Sequence, residues 1–489
     1  MTIFADTLRK YLESKNTTIY NIAKTSGVDR TLIQHMKTGK RLPANVSVIY
    51  AIAKALMLNL CETEELIRAY DITHMGEDNY FRREHVSKII SSFYDMNTAS
   101  KLVLPKVSQD TLEMNEPLKE IVGHSNINRI VKAIIETETN KKGGHVKIMV
   151  QPEYTYIYDC LTSIDFNSNN TNVEAIIVFD KNEGHKSTIY NLNILEKLVP
   201  ILFQCDVFHP YYIYENVDSL FNKNSFLPYK IITSDFVIAI SYDQSKAVLY
   251  RDASMINLLN ETFQKQLNIA TPICHTFHPT PAEYLASTFA PNEDIDADTI
   301  YELFYQPCFP SFCPNDVLLD RLNTDIIPPE MQNVIVDYFS KIRAQYQNKH
   351  ISFTLEGLNY FMETGRVTEI PDFMYSYLTP PQRLTMLKAI VASVDDGSFT
   401  PRLIRSEKLT VPSPICICAP NEHKVIIYYF SPDKGQYIFS LQELSLVQAF
   451  YDFLTYLHES PLVYSLDESK AMLHNVLEKY QQHPNFLQS

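Results

Sequence analysis

Polar caps and glycines cut the first seventy residues into short helices. Phe4, Leu8 and Leu12 recur at four-residue spacing, which gives a first helix one apolar stripe. Thr17 or Thr18 can accept a free amide at the start of a second helix running through Ile22 and Ala23. Gly27 ends that helix, because glycine enters the left-handed conformation without a Cβ clash. Asp29 caps a third helix, Arg30 to Lys37, with Ile33 and Met36 facing inward, and Gly39 stops it. Pro43 lies in the following loop, and Asn45 caps a fourth helix carrying Ile49, Ile52, Ala53 and Leu56. A fifth helix is predicted to start after Thr63 and to run to Tyr70. The chain is thereby committed to a compact helical head.

Charge sets this head apart. Residues 1–60 hold nine Lys/Arg and three acidic residues, a balance of +6, whereas the whole chain carries −14. The remainder therefore carries −20. A small basic module on a large acidic body suits a nucleic-acid reader joined to a part that does not bind DNA. Charge alone would equally fit a solvated basic face; the helical punctuation favours the reader.

Two short helices joined by a tight Gly-containing turn form a helix-turn-helix, and the second helix of the pair would enter the major groove. The segment "NIAKTSGVDRTLIQHMKTGKRLPANVSVIYAIAKAL" resembles the Cro/lambda-repressor type, the XRE family. The match rests on Ala23, the Gly27-Val28 turn, Ile33, "GKRLP" and "IAKAL", in order, and covers about residues 4–71. The family commonly has an acidic residue near the end of the recognition helix, where this chain has Lys37. The resemblance implies base contacts by Arg30, Thr31, Gln34 and His35, since Gln pairs with adenine and Arg with guanine. It implies phosphate contacts by Thr18, Lys37, Thr38, Lys40 and Arg41. The implied partner is double-stranded DNA. Such readers pair on two half-sites, so a homodimer is expected, with the rest of the chain supplying the contact.

Beyond the head (residues 1–71), the sequence predicts a helical connector (72–144) and an α/β or α+β body of two similar halves, 145–285 and 286–489. In the connector, Phe81, His85, Ile89 and Phe93 form one helical stripe, and "SNINRIVKAIIETETN" forms another amphipathic helix. "HVKIMVQP", "VEAIIVFD" and "DFVIAISYD" are apolar, β-branched runs that read as strands. Both halves show a helix, a strand, a hairpin with a polar turn, and a helix carrying a central Phe (Phe263, Phe450). This plan resembles phospholipase D-like folds, which have two similar halves. The family's His-x-Lys motif is not reproduced. His423-Lys424 has the wrong spacing, and His145-x-Lys147 lacks the trailing Asp and a counterpart in the second half. The resemblance thus implies a binding fold without phosphodiesterase chemistry.

Other chemistry finds little support. Cys274, His275 and His278, and separately Cys308 and Cys313, do not reproduce a zinc-site spacing. Cys416 and Cys418 alternate in an apolar strand and suit core positions. Eight Cys are too few for a disulfide scaffold. The 11 Gly form neither a dinucleotide fingerprint nor a P-loop, and G-x-S-x-G is missing. No metal, cofactor or catalytic residue is therefore expected. Tyr-rich strands ("YTYIYD", "HPYYIYEN", "VIIYYF") fit a half-buried sheet face better than a ligand pocket. With no run of about 18 apolar residues, a membrane span is not expected, and the protein is placed in the cytoplasm. The expected function is a DNA-binding regulator whose body dimerises and senses a small-molecule or protein effector. The rivals are an interaction protein of the phage-defence or toxin–antitoxin kind, and an enzyme with an autoregulatory helix-turn-helix.

Overall fold

The computed structural model describes residues 2–98, 104–105, 112–113, 116–181, 185–217, 226–277, 280, 283, 285, 299–345, 349–413, 415–431 and 435–482. The chain divides into two compact units: the first contains the N-terminal residues to His85 together with residues 185–189, and the second contains the rest from Val86 onward.

The first unit is helical. Its elements are α1 (Ile3–Ser14), α2 (Ile19–Ser26), α3 (Arg30–Lys37), α4 (Val46–Ala55) and α5 (Leu60–Met75). Thr2, Thr18, Asp29, Asn45 and Asn59 cap them in turn, each accepting a backbone amide of the first turn. The fifth helix is longer than the sequence reading allowed. Asn59 and Glu62 cap each other's backbone amides, which moves the start to Leu60, and Leu66, Ala69, Tyr70 and Ile72 carry the buried face towards Met75. Phe4, Leu8, Leu12, Ile22, Ile33, Met36, Ile49, Ile52 and Leu66 make one core. Each such side chain contributes about 1.5–3 kcal/mol on burial. Helix α6 (Glu77–Thr98) follows, with Val86, Ile89, Ile90 and Phe93 buried on one stripe.

The second unit is built on two mixed sheets. The first sheet uses β1 (Leu118–Val122), β2 (His145–Met149), β3 (Asn172–Asp180), β4 (Phe208–Glu215), β5 (Tyr229–Ile232), β6 (Val237–Ile240), β7 (Lys246–Tyr250) and β8 (Thr271–Pro272). Its order is β1-β7-β6-β5-β2-β3-β4-β8. Strands β2, β3 and β4 run parallel, while β5, β6, β7 and β1 continue antiparallel. Helices α7 (His124–Thr139), α8 (Thr155–Ser163), α9 (His185–Gln204) and α10 (Ala253–Leu267) join them. Strand β1 falls within the stretch expected to be a helical connector. Only Ile121 of its five residues is buried, so it lacks the apolar alternation that marks a strand in sequence.

The second sheet uses β9 (Cys274–Phe277), β10 (Ile300–Phe304), β11 (Lys349–Phe353), β12 (Arg402–Leu403), β13 (Ile415–Asn421), β14 (Lys424–Ser431) and β15 (Gly435–Leu441). Read from β9, its order is β9-β15-β14-β13-β10-β11-β12. This is the order of β1 to β7 shifted along the chain, and the polarities agree: β10, β11 and β12 are parallel, and β13, β14, β15 and β9 antiparallel. The halves also end alike, because α10 follows β7 and α15 (Leu444–Leu457) follows β15. Phe263 and Phe450, the central aromatics of these two helices, are both buried.

The crossovers differ between the halves. Among the described residues, α8 alone joins β2 to β3 and α9 alone joins β3 to β4. In the second half, α11 (Asn315–Arg321) with α12 (Pro329–Gln345), and α13 (Leu355–Thr364) with α14 (Pro380–Asp395), stand in those places, and α16 (Leu466–Gln481) closes the chain against α14. The two halves share a core. Phe203 of α9 packs on Tyr429 and Phe439 of the second sheet, with ring centroids 4.3 and 4.6 Å apart. No described helix is long and apolar enough to cross a membrane.

Candidate nucleic-acid interface

The turn between α2 and α3 aims α3 outward. Gly27 caps α2 with φ +71°, in the left-handed region, and its amide donates to the Ala23 carbonyl. The Asp29 carboxylate then accepts the Leu32 amide at 2.9 Å and starts α3 after only three intervening residues. Ile33 and Met36 are fully buried. Arg30, Thr31 and Gln34 are exposed on the opposite side, and His35 is half-buried beside them.

The residues expected at phosphates surround that face. Lys40 and Arg41 are exposed after α3, and Lys37 is half-buried in its last turn. Thr18 is exposed but serves as the α2 cap, its Oγ1 accepting the Asn21 amide at 3.3 Å. Thr38 donates its hydroxyl back to the Gln34 and His35 carbonyls at 3.0 and 3.1 Å. Both hydroxyls thus already have local work in holding helix ends.

Charge pairing divides the first unit into two sides. On the α1–α5 side the cations are neutralised: Lys10 pairs with Glu65 at 2.7 Å, Lys15 with Glu62 at 2.9 Å and Arg68 with Glu84 at 3.2 Å. The Lys10 ammonium and Tyr11 hydroxyl hold the Glu65 carboxyl below its ordinary range, and the Asn59 amide and Lys15 do the same for Glu62. Beside the end of α3, Arg9 of α1 reaches the Lys37 carbonyl at 3.4 Å and pairs with Asp6 at 3.2 Å, but the cations on the outer side of α3 differ. Among the described residues, Lys24, Arg30, Lys37, Lys40, Arg41 and Lys54 enter no ion pair. Lys24 and Lys54 were not singled out from sequence. Both are exposed, at the ends of α2 and α4, and their helical phase relative to Ile22 and Ala53 would have flagged them. Tyr20, at the start of α2, is also solvent-facing, with 60% of its surface exposed.

Groups singled out in the second unit lie apart from one another. His145 is exposed at the start of β2, while Lys147 donates to Asn260 at 3.2 Å and rests 5.6 Å from the Phe263 ring. His423 is exposed in the β13–β14 turn. Burial pushes the Cys308 and Cys313 thiols up to about 12, which leaves them unreactive near neutrality. Cys274 is buried at the start of β9, and His278 lies outside the described residues. Among the described residues no three His, Cys, Asp or Glu are placed to hold a metal ion.

A buried polar group that sequence did not reveal lies on β10 and β11. Lys349 donates to the Glu302 carboxylate at 3.0 Å, and the Cys418 thiol approaches the same oxygen at 3.7 Å. Burial pulls the Lys349 ammonium down, but Glu302 outweighs it and the pKa ends raised. Glu369 is close enough to Glu302 for their charges to interact; burial, reinforced by Glu302, drives its carboxyl well above the ordinary range.

No family model matches this sequence, and no curated protein matches it. Among solved structures, the chain is similar to TrmBL2, an archaeal chromatin protein whose structure is described as showing a novel mode of DNA binding. That likeness has 11% identity over 55% of this chain and 100% of the other, with a TM-score of 0.23. It is also similar to a phosphatidylserine synthase of Haemophilus influenzae Rd KW20, at 11% identity over 82% of this chain and 97% of the other, with a TM-score of 0.24. Scores this low establish no common fold.

Proposed function

We propose that this protein is a DNA-binding transcriptional regulator of the helix-turn-helix kind. In this reading α3 enters the major groove, with Arg30, Thr31, Gln34 and His35 at base edges. Lys37, Lys40 and Arg41 neutralise phosphates on either side, with Lys24 and Lys54 adding to the field. Thr38 reaches phosphate only as a secondary donor, because its hydroxyl already donates to the Gln34 and His35 carbonyls, whereas Thr18 accepts the Asn21 amide and keeps its hydroxyl hydrogen for a phosphate. The observation that carries the reading is the segregation of charge. Cations on the α1–α5 side are matched by Glu62, Glu65 and Glu84, whereas those around the exposed face of α3 are left for an external anion.

The acidic second unit is proposed to join two copies and to convey a signal. A ligand that prefers one of its conformations shifts operator affinity by that preference and no more. The test is selection from a pool of random duplexes by the full-length protein. Enrichment of a two-fold symmetric site with half-sites about one helical turn apart supports the regulator. Recovery of an unenriched pool, with binding no tighter than to any duplex, overturns it.

A further inference from the structure

We propose that His350 and His458 form an acid-sensitive latch: while neutral, the two rings hold the end of α15 on the second sheet, and a proton on either ring releases it. His350 stands on β11, and His458 is the residue at which α15 ends. Their rings meet edge to face, with centroids 4.8 Å apart and planes at 83°. His350 also stacks on Tyr301 of β10, 4.9 Å away at 15°, and Tyr301 in turn meets Tyr451 of α15 at 5.8 Å. These four rings tie α15 to the sheet. Beyond His458 the chain runs along the end of β12. Ile404 bridges Val463, the Arg405 amide donates to the Leu462 carbonyl at 2.9 Å, and the Tyr464 amide donates to the Leu403 carbonyl at 2.8 Å. The chain then enters α16, whose Leu473, Val476 and Tyr480 are buried in the core of the second half.

The site has no acceptor for a second ring proton. His458 is 8% exposed, and the Nδ1 of each ring is buried without a hydrogen-bond partner. A neutral imidazole can keep its proton on Nε2 and bury only a lone pair at Nδ1. A charged one carries N–H on both nitrogens, so Nδ1 becomes a buried donor with nothing to receive it, which is costly. The surrounding charge acts in the same direction. Arg402 of β12 is half-buried and donates to the carbonyls of Thr400 and Pro401 at 3.4 and 3.3 Å. Its positive charge opposes a proton on either imidazole. Glu459, which is exposed, acts against this at His350. Tyr301 and Tyr451 are neutral, and Glu302 and Lys349, their strands' next residues, point to the opposite face. Burial first, then Arg402 and His350, pull His458 down to about 3. Burial and Arg402 also lower His350, against a smaller effect of Glu459.

Release therefore belongs to the acid side. A histidine held below its unfolded value of about 6.5 is packed in its neutral form. Its contribution is intact above about pH 6.5 and is lost as pH falls from there towards the folded value. For His458 alone, the equilibrium between the closed and released ends moves towards release about tenfold between about pH 7.5 and about pH 5.5. His350 adds to the shift in the same direction. The latch stands whether or not the first unit reads DNA.

The test is hydrogen exchange of the full-length protein, read by mass spectrometry and corrected for the intrinsic pH dependence of amide exchange. From about pH 7.5 to about pH 5.5, protection of peptides within residues 452–464 should fall about tenfold or more relative to that of β2 and β3. Combining His350→Phe with His458→Leu keeps apolar groups at the contact and removes both protonation sites. That double variant should flatten the drop to less than about twofold. His423→Phe, in the exposed β13–β14 turn, should leave the drop as in the parent. Circular dichroism shows whether the double variant is folded, and the parent profile decides the matter if it is not. Protection at 452–464 that follows β2 and β3 at both pH values overturns the latch, as does an undiminished drop in the folded double variant.

Discussion

The Asp29 carboxylate holds the first turn of α3 by accepting the Leu32 amide at 2.9 Å, and it does so beside Arg30, one of the cations left unpaired. The same side chain is therefore an asset to the helix and a liability to an approaching phosphate. The two roles separate by substitution. Asp29→Ala should cost about 0.5–2 kcal/mol of helix stability and weaken DNA binding. Asp29→Asn keeps an acceptor at the cap but removes the charge, so it should bind DNA more tightly than the parent. Thermal melting and duplex titration of both variants provide the check.

Base and phosphate contacts should also come apart. Arg30→Ala and Gln34→Ala should each lower discrimination against the wrong base by about 1–3 kcal/mol. Lys40→Ala and Arg41→Ala should weaken binding to every sequence to a similar degree. Equal loss of discrimination in both pairs would show that the contacts are sorted wrongly.

Much of the first unit was legible in sequence because its signals are local. Thr18, Gly27, Asp29 and Asn45 do in the structure what their types and spacing imply. The start of α5 was missed although Asn59 and Glu62 spell a capping box, because no apolar stripe accompanies them at Leu60. In the second unit the apolar runs at 145–149 and 172–180 were readable as strands, and β13–β14 as a hairpin. The shared order of the two sheets was visible only as a faint parallel, since strand order is a long-range property that a 2-residue strand such as β12 cannot announce. The Lys349–Glu302 pair is invisible for the same reason, being assembled from residues far apart in the chain.

Glu369 makes stability depend on pH in a definite direction. Burial and the neighbouring Glu302 raise its carboxyl well above the ordinary range, against a smaller opposing effect of Lys349. A carboxyl raised by folding stabilises the fold fully below its unfolded pKa, and that contribution is lost as pH rises towards and through the folded value. Glu369→Gln is neutral at every pH and escapes the loss. Between about pH 5 and about pH 8, the variant's melting midpoint should rise relative to the parent by roughly 2 °C or more. A difference that stays constant with pH would contradict the assignment.

The Lys349–Glu302 pair should behave as a buried ion pair whose halves depend on each other. Lys349→Met alone leaves the Glu302 charge uncompensated and should cost about 3–5 kcal/mol. Combining it with Glu302→Leu should recover most of that cost. Urea unfolding of the two variants tests the coupling, and a double variant no better than the single would contradict it.

The salt dependence of DNA affinity tests the central claim most directly. For full-length protein on one duplex, log affinity should fall linearly with log salt, losing about 0.9 in slope for each phosphate contact removed. The account predicts a steep slope in the parent that becomes shallower by about that amount in Lys40→Ala and again in Arg41→Ala. A slope near zero in the parent, or one unchanged in both variants, would contradict it.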